Sequence, residues 1–192
     1  MEYDDIMNAQ RKGVYGRRQN ALKGERIGAD IANMISEVCT SLANGVYEGY
    51  ADFNNEVNRV LALELPFTEE EYPKLDSAQI AERLTEAAMH QLTRREEKMA
   101  EGIAPYVKEF VEERGATGPI GVPVTDGRRM FNIRADIRES YDKGCKPIVK
   151  AWEKAVLLSS IDAAWQEQLS ELDELRRSVQ NASYEQKDPL VI

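Results

Sequence analysis

Very few side chains in this sequence could do covalent or metal chemistry. His90 is the single histidine, and Cys39 and Cys145 are the only two thiols. Neither a CxxC pair nor a second histidine is present to build a metal site or to leave a spare imidazole beside a Ser-His-Asp triad. His90 therefore reads as a surface or interhelical residue, and the cysteines as buried, reduced thiols of a cytosolic protein. Carboxylates are plentiful, 34 in all, but spacing singles out no pair. A complete small enzyme has nothing to support it, and no catalytic or metal-binding residue is assigned. One segment invites a phosphate reading, the Gly- and Pro-rich run from Gly115 to Gly127. It lacks the GxxxxGK[ST] spacing, no lysine follows its glycines, and no helix is expected directly behind it, so no cofactor-binding residue is assigned there either. Loop or tight turns are the expectation for this run.

Bulk properties narrow the function classes further. The chain has 192 residues, with 25 basic against 34 acidic side chains and a net charge of −9. Phosphate neutralisation needs a surplus of Lys and Arg, so nucleic acid is not an expected partner. Hydrophobic residues make up 42% of the chain and aromatic residues 7%, enough for a thin core and too few ring and β-branched side chains for a sandwich or barrel. The expected fold class is all-α. No apolar run approaches the roughly 18 residues that a membrane span requires, and the acidic start Met1-Glu2-Tyr3-Asp4-Asp5 is unlike a signal peptide. The cytosol or a membrane surface is the expected location.

Periodicity sets out the elements. Glu2 to Lys23 predicts a helix, with Asp4 and Asp5 in its first turn and Arg11, Lys12, Arg17, Arg18 and Lys23 later, as the helix dipole prefers; Gly24 is the expected stop. A second helix is predicted from about Glu25 to Tyr50 on the stripe Ile27, Ile31, Met34, Ile35, Val38, Leu42 and Val46. The acidic stretch Glu48 to Asp76, broken by Pro66 and Pro73, predicts short helices, with Thr68 and Glu71 at capping-box spacing. Ser77 to Arg114 predicts a long helix whose middle, Arg94 to Lys98, is a solvated charge run. Arg128 to Gly144 suits either a short strand or a helix. From Pro147 to about Asn181 a last helix carries Ile148, Val149, Trp152 and Val156 on one side. Leu158, Ile161, Trp165, Leu169, Leu172, Leu175 and Val179 lie nearly opposite. A helix buried on opposite faces at its two ends either bridges two lobes or kinks near Leu157.

Both ends of the sequence carry a resemblance. Glu2-Tyr3-Asp4-Asp5-Ile6-Met7-Asn8-Ala9-Gln10-Arg11, followed by Val14-Tyr15 and Arg17, resembles the start of the helical scaffold domain in the SecA family of bacterial preprotein translocase ATPases. Asp162-Ala163-Ala164-Trp165-Gln166-Glu167-Gln168-Leu169, Asp173-Glu174-Leu175-Arg176 and Tyr184-Glu185-Gln186-Lys187-Asp188-Pro189-Leu190 resemble that family's two-helix finger: first helix, tip loop and entry to the second helix. Gln168 stands where the family usually has His. The middle, about Gly49 to Cys145, falls where the family inserts its helical wing domain.

The resemblance implies long scaffold helices with an inserted smaller helical wing lobe: 1–48 scaffold, 49–145 wing with the Gly/Pro-rich loop, and 146–192 scaffold, first finger helix and truncated tip loop. It implies that ATP-driven motion of motor domains reaches the scaffold, and that the finger pushes unfolded preproteins through a membrane channel. Tyr184 would be the tip residue that contacts the translocating chain, with Lys187 in the same loop, since an aromatic ring offers apolar contact to almost any side chain. Arg11, Arg17 and Arg18 would face the motor domains, where carboxylates could couple nucleotide state to scaffold position. The implied partners are preproteins, the protein-conducting channel and motor domains of the same parent, at the cytoplasmic face of the inner membrane.

A phosphate loop and an acidic Mg²⁺-binding strand motif are both missing from the sequence. It is therefore expected to be a fragment that hydrolyses no ATP by itself, with ATP and magnesium belonging to the intact parent. Its end at Ile192, where the second finger helix would just start, agrees and would leave the stripe from Leu158 to Val179 without its natural partner. The rival reading is a free-standing helical adaptor or chaperone-like module that binds partners through its acidic lobe.

Overall fold

The computed structural model describes residues 2–24, 26–125, 127 and 129–184, with side chains over 7–24, 26–125, 127 and 129–178. It is mostly helical, with one small antiparallel ribbon. In chain order the elements are α1 (Glu2–Lys23), α2 (Ile27–Ala43), α3 (Tyr50–Leu61), a 3-10 turn (Tyr72–Lys74), α4 (Ser77–Glu112), β1 (Pro119–Thr125), β2 (Met130–Asp136), α5 (Ile137–Asp142) and α6 (Lys146–Tyr184). They form two compact units, one of Met1–Glu25 with Glu153–Ile192, the other of Arg26–Trp152. The chain changes unit inside α6, just ahead of the place where the apolar stripe of that helix changes face.

The Arg26–Trp152 unit holds two groups of buried residues. In the first, α2 lies against the N-terminal half of α4, and Cys39, Leu42, Phe53, Val57, Phe67, Ile80, Leu84 and Ala88 are buried together. Its centre is aromatic: the Phe53 ring sits 4.8 Å from Tyr47, 5.3 Å from Tyr72 and 6.4 Å from Phe67, centroid to centroid. Short helices form here because each turn returns an aromatic ring to that centre. This also explains why α2 stops at Ala43 rather than continuing to Tyr50. Asn44 and Gly45 close the helix by donating from their backbone amides to Thr40 O and Leu42 O, and Tyr47 then folds back onto Phe53. A side chain at Gly45 would strike the Tyr47 ring. Val46, counted in the stripe, is left almost fully exposed.

α4 opens with a complete capping box. The Asp76 carboxylate accepts from the Gln79 amide at 2.8 Å, and Gln79 Oε1 accepts from the Asp76 amide at 3.1 Å. The spacing noted at Thr68 and Glu71 gives one half of such a box, with the Glu71 carboxylate accepting from the Thr68 amide at 2.9 Å. Along α4, burial is confined to Ile80, Leu84 and Ala88 near one end and Val107 and Val111 near the other. The charged span from Arg94 to Lys98 between them is largely exposed.

The second group of buried residues is Val107, Val111, Ile133, Ala135, Ile137, Cys145, Ile148 and Val149, in the region where α5 contacts both α4 and β2. Here the expectation of loop or tight turns for the Gly/Pro-rich run is corrected, because Pro119–Thr125 is a strand paired antiparallel with Met130–Asp136. The ambiguous stretch after it resolves into β2 and α5. Ile120, Val122 and Val124 alternate with Pro119, Gly121 and Pro123, and the same alternation in β2 buries Ile133 and Ala135. Period two prevails over Gly and Pro content because the prolines occupy positions where the missing N–H takes nothing from the ladder. Asp136 then caps α5 by accepting from the Glu139 amide at 2.9 Å. Both cysteines are free and buried.

Candidate functional site

The candidate site is the α1–α6 seam of the unit made by both chain ends. Along α1, residues 7, 10, 14, 18 and 21 are sheltered while their neighbours are exposed. Steps of three and four place Met7, Gln10, Val14, Arg18 and Ala21 on one face. Two of the five are polar, so the seam is not a simple apolar zipper.

Arg18 supplies the main cross-link. Its Nε donates to Asp162 Oδ1 at 2.8 Å and its Nη2 to Oδ2 at 3.3 Å, a two-pronged pair between residues 144 positions apart. Planar guanidinium and carboxylate held by two bonds fix orientation as well as distance. The Arg18 guanidinium, chiefly through its hydrogen bond, holds the Asp162 carboxyl below its usual range; the same bond raises the Arg18 pKa. Both side chains remain about two-fifths exposed, 41% and 45%, so water screens the pair and its role is alignment more than stability. One turn further along, Lys154 Nζ donates to the Leu22 carbonyl. That carbonyl belongs to the last turn of α1, where a cation meets both an unpaired acceptor and the negative end of the helix dipole. Gly24, at φ +76°, ends α1 as expected and returns its amide to Asn20 O at 3.1 Å. Residue numbers rise from 18 to 22 along α1 while their partners fall from 162 to 154, so the helices run antiparallel.

Of the arginines singled out in the sequence, Arg11 and Arg17 are exposed and Arg18 is engaged with Asp162. The stripe on α6 is only partly covered: Leu158, Ile161, Trp165, Leu169 and Leu172 are half-buried, and Leu175 is 51% exposed. Tyr184 is the last residue of α6, with its side chain outside the described set, and Lys187 and the rest of the tip lie outside the described residues. Sequence reasoning missed Asp162 and Lys154. Asp162 sits four residues after Leu158 and three before Trp165, a charge on the rim of an apolar stripe, which was the available signal.

A second feature is an open groove of about 780 Å³ between the segment following α3 and α4. His90 lies on it, exposed, with Arg83, Arg94, Glu64 and Glu86, and Gln91 Nε2 donates across it to Ala62 O at 2.8 Å. Charges of both signs line it without converging on one point. Among the described residues no group of three His, Cys, Asp or Glu side chains could hold a metal ion, and no helix is long and apolar enough to cross a membrane.

Comparison with known proteins bears directly on the seam. Residues 1–192 match the family described as SecA Wing and Scaffold domain. The chain is 50% identical over 196 residues to the protein translocase subunit SecA of Phocaeicola vulgatus, 46% over 193 to that of Parabacteroides distasonis and 42% over 195 to that of Porphyromonas gingivalis. All of this chain is covered in each case, against 17%, 17% and 18% of the respective relatives. No solved structure matches it. A match over the whole chain, through both helices of the seam and everything between them, means that the chain belongs to the SecA wing and scaffold family.

Proposed function

We propose that this chain is the wing and scaffold segment of a protein-translocating motor and that it passes nucleotide-driven movement to an unfolded preprotein at the membrane channel. The chain spans about 17% of the length of the relatives it matches, so motor activity, client and channel belong to the longer protein. The observation that carries the proposal is the two-pronged Arg18–Asp162 pair, which ties the first helix of the segment to the helix that leads toward Tyr184. An antiparallel helix pair pinned in register resists sliding, and movement delivered to α1 is therefore delivered to α6.

In this reading 1–48 and 146–192 act as scaffold and 49–145 as wing. Tyr184 contacts the moving polypeptide, with Lys187 beside it. Arg11 and Arg17 are the arginines free to meet carboxylates of the motor domains, while Arg18 acts from within the seam. Nucleotide and magnesium chemistry is assigned to the rest of the parent. The protein would work on the cytoplasmic side, held at the inner membrane through the channel.

The test is Tyr184→Ala in the full-length parent, assayed for precursor translocation into membrane vesicles beside ATP hydrolysis. Loss of translocation with ATP hydrolysis retained is the expected result. Unchanged translocation refutes the tip role and leaves the segment as scaffold.

A further inference from the structure

The β1–β2 ribbon has two outer edges, and they are not equivalent. In the register Pro119↔Asp136 to Thr125↔Met130, the Ile137 amide donates to Gly118 O at 3.0 Å just beyond the end of the ladder. Antiparallel bonding alternates, so the bonded pairs are Ile120–Ala135, Val122–Ile133 and Val124–Phe131. Backbone groups of the remaining residues point outward. On the β1 edge these include Pro119 and Pro123, which have no N–H to give. On the β2 edge they belong to Met130, Asn132 and Arg134, each with an N–H and a C=O and an exposed side chain. The sheet holds no third strand among the described residues. One edge is thus blocked by proline and the other is open to pairing.

The surroundings of the open edge choose its occupant. Gly121 has no side chain opposite Arg134, and nothing lies within 4 Å of where its Cβ would be. A hollow of about 530 Å³ results, lined by Pro119, Gly121, Asn132 and Arg134. The Arg134 guanidinium has no carboxylate partner among the described residues. The Arg134 side chain is exposed, and Asp136, two positions on, accepts from the Glu139 amide at 2.9 Å. Among the described residues the edge therefore presents one unpaired cation, Arg134, in a chain of net charge −9. A second copy of the ribbon would bring only another Arg134 to this edge, whereas an acidic strand would meet complementary charge.

We infer that the β2 edge, at Met130, Asn132 and Arg134, is a docking site for an extended acidic polypeptide segment, which adds a third strand and sets a carboxylate against Arg134 in the hollow beside Gly121. Main-chain bonds would supply affinity and the hollow would select the side chain. This assignment does not depend on the finger role of Tyr184.

Amide hydrogen exchange on the full 192-residue chain tests it, with a synthetic hexapeptide of alternating valine and glutamate as the probe. A version of the same peptide N-methylated on alternate residues is the control. Saturating probe should slow exchange at Asn132 and Arg134 by roughly tenfold or more, leave Gly121 and Thr125 on the opposite edge unchanged, and have no effect when N-methylated. Asn132→Pro should abolish the slowing while exchange at Val122 and Ile133 shows the ribbon intact, because the outward N–H it removes mirrors the one already absent at Pro123. Arg134→Glu should weaken probe binding by about tenfold without altering the ribbon. Slowing at Gly121 and Thr125 instead, equal slowing by the N-methylated peptide, slowing that tracks protein concentration without probe, or none at all would overturn the assignment.

Discussion

Replacing Phe53 gives the sharpest test of how the Arg26–Trp152 unit is held together. Phe53 is 1% exposed and has three ring neighbours, Tyr47, Tyr72 and Phe67, at 4.8 to 6.4 Å. Phe53→Ala removes a whole buried ring and leaves a hollow that α2 and α4 cannot close without breaking their own packing. The cost should be about 4 kcal/mol, within the usual 3–5 for buried phenylalanine. Phe53→Leu keeps most of the apolar volume and loses the ring pairing, about 1–2 kcal/mol. Urea unfolding with a slope of about 2 kcal/mol per molar puts the alanine midpoint about 2 M below wild type and the leucine midpoint about 0.5–1 M below. The probe is built in: Tyr47 and Tyr72 contact Phe53, Tyr50 packs on Tyr72, and both tryptophans, Trp152 and Trp165, lie outside that cluster. The tyrosine near-ultraviolet signal should therefore move further than tryptophan fluorescence. An alanine cost under about 1.5 kcal/mol, or equal costs for leucine and alanine, would refute an aromatic-centred core.

Three other outcomes are expected. Asp76→Ala should cost about 1 kcal/mol by thermal melting, through loss of the box that starts α4, and Asp76→Asn much less. Pro105→Ala should stabilise by about 1 kcal/mol or more, since Pro105 is exposed inside α4 and withholds an amide from Glu101 O; a lower melting temperature would contradict this. Asp162, held low by Arg18, and Glu71, held low by the Thr68 amide, have folded pKa values below their unfolded ones. Their contributions are complete above the ordinary carboxylate range and disappear as pH falls through the folded values. Asp162→Asn should accordingly lower stability slightly at neutral pH, where the screened pair is fully formed, and leave it unchanged below the folded value, so that the acid limb of the stability curve is flatter.

Much of the helical framework was legible in the sequence, and the reason is local. α1 starts and stops where charge sorting and Gly24 put it, and α4 and α6 follow from stripes that recur every three or four residues. The resemblance at the two ends led to the family that the whole-chain match then established. Failures came where distant residues decide. Gly and Pro between 115 and 127 signal a break on local grounds, and only pairing with β2 makes Ile120, Val122 and Val124 a strand. Asn44 and Gly45 end α2 because Tyr47 is wanted at Phe53, which no window on α2 contains. Arg18 was visible as a cation, but its partner lies 144 positions away, too far for spacing to suggest.

The bare middle of α4 has a mechanical consequence. At about 1.5 Å per residue the helix is roughly 54 Å long, its buried residues lie near its two ends, and past the Gln91–Ala62 hydrogen bond no fully buried residue braces the span up to Val107. Gly102 and Pro105 sit inside that span, one without a side chain and the other without an amide. A load applied across the helix would concentrate there, and α4 would flex at this point before either cluster loosened. Each cluster would then open and close on its own schedule, and hydrogen exchange would report two separate opening free energies along a single uninterrupted helix.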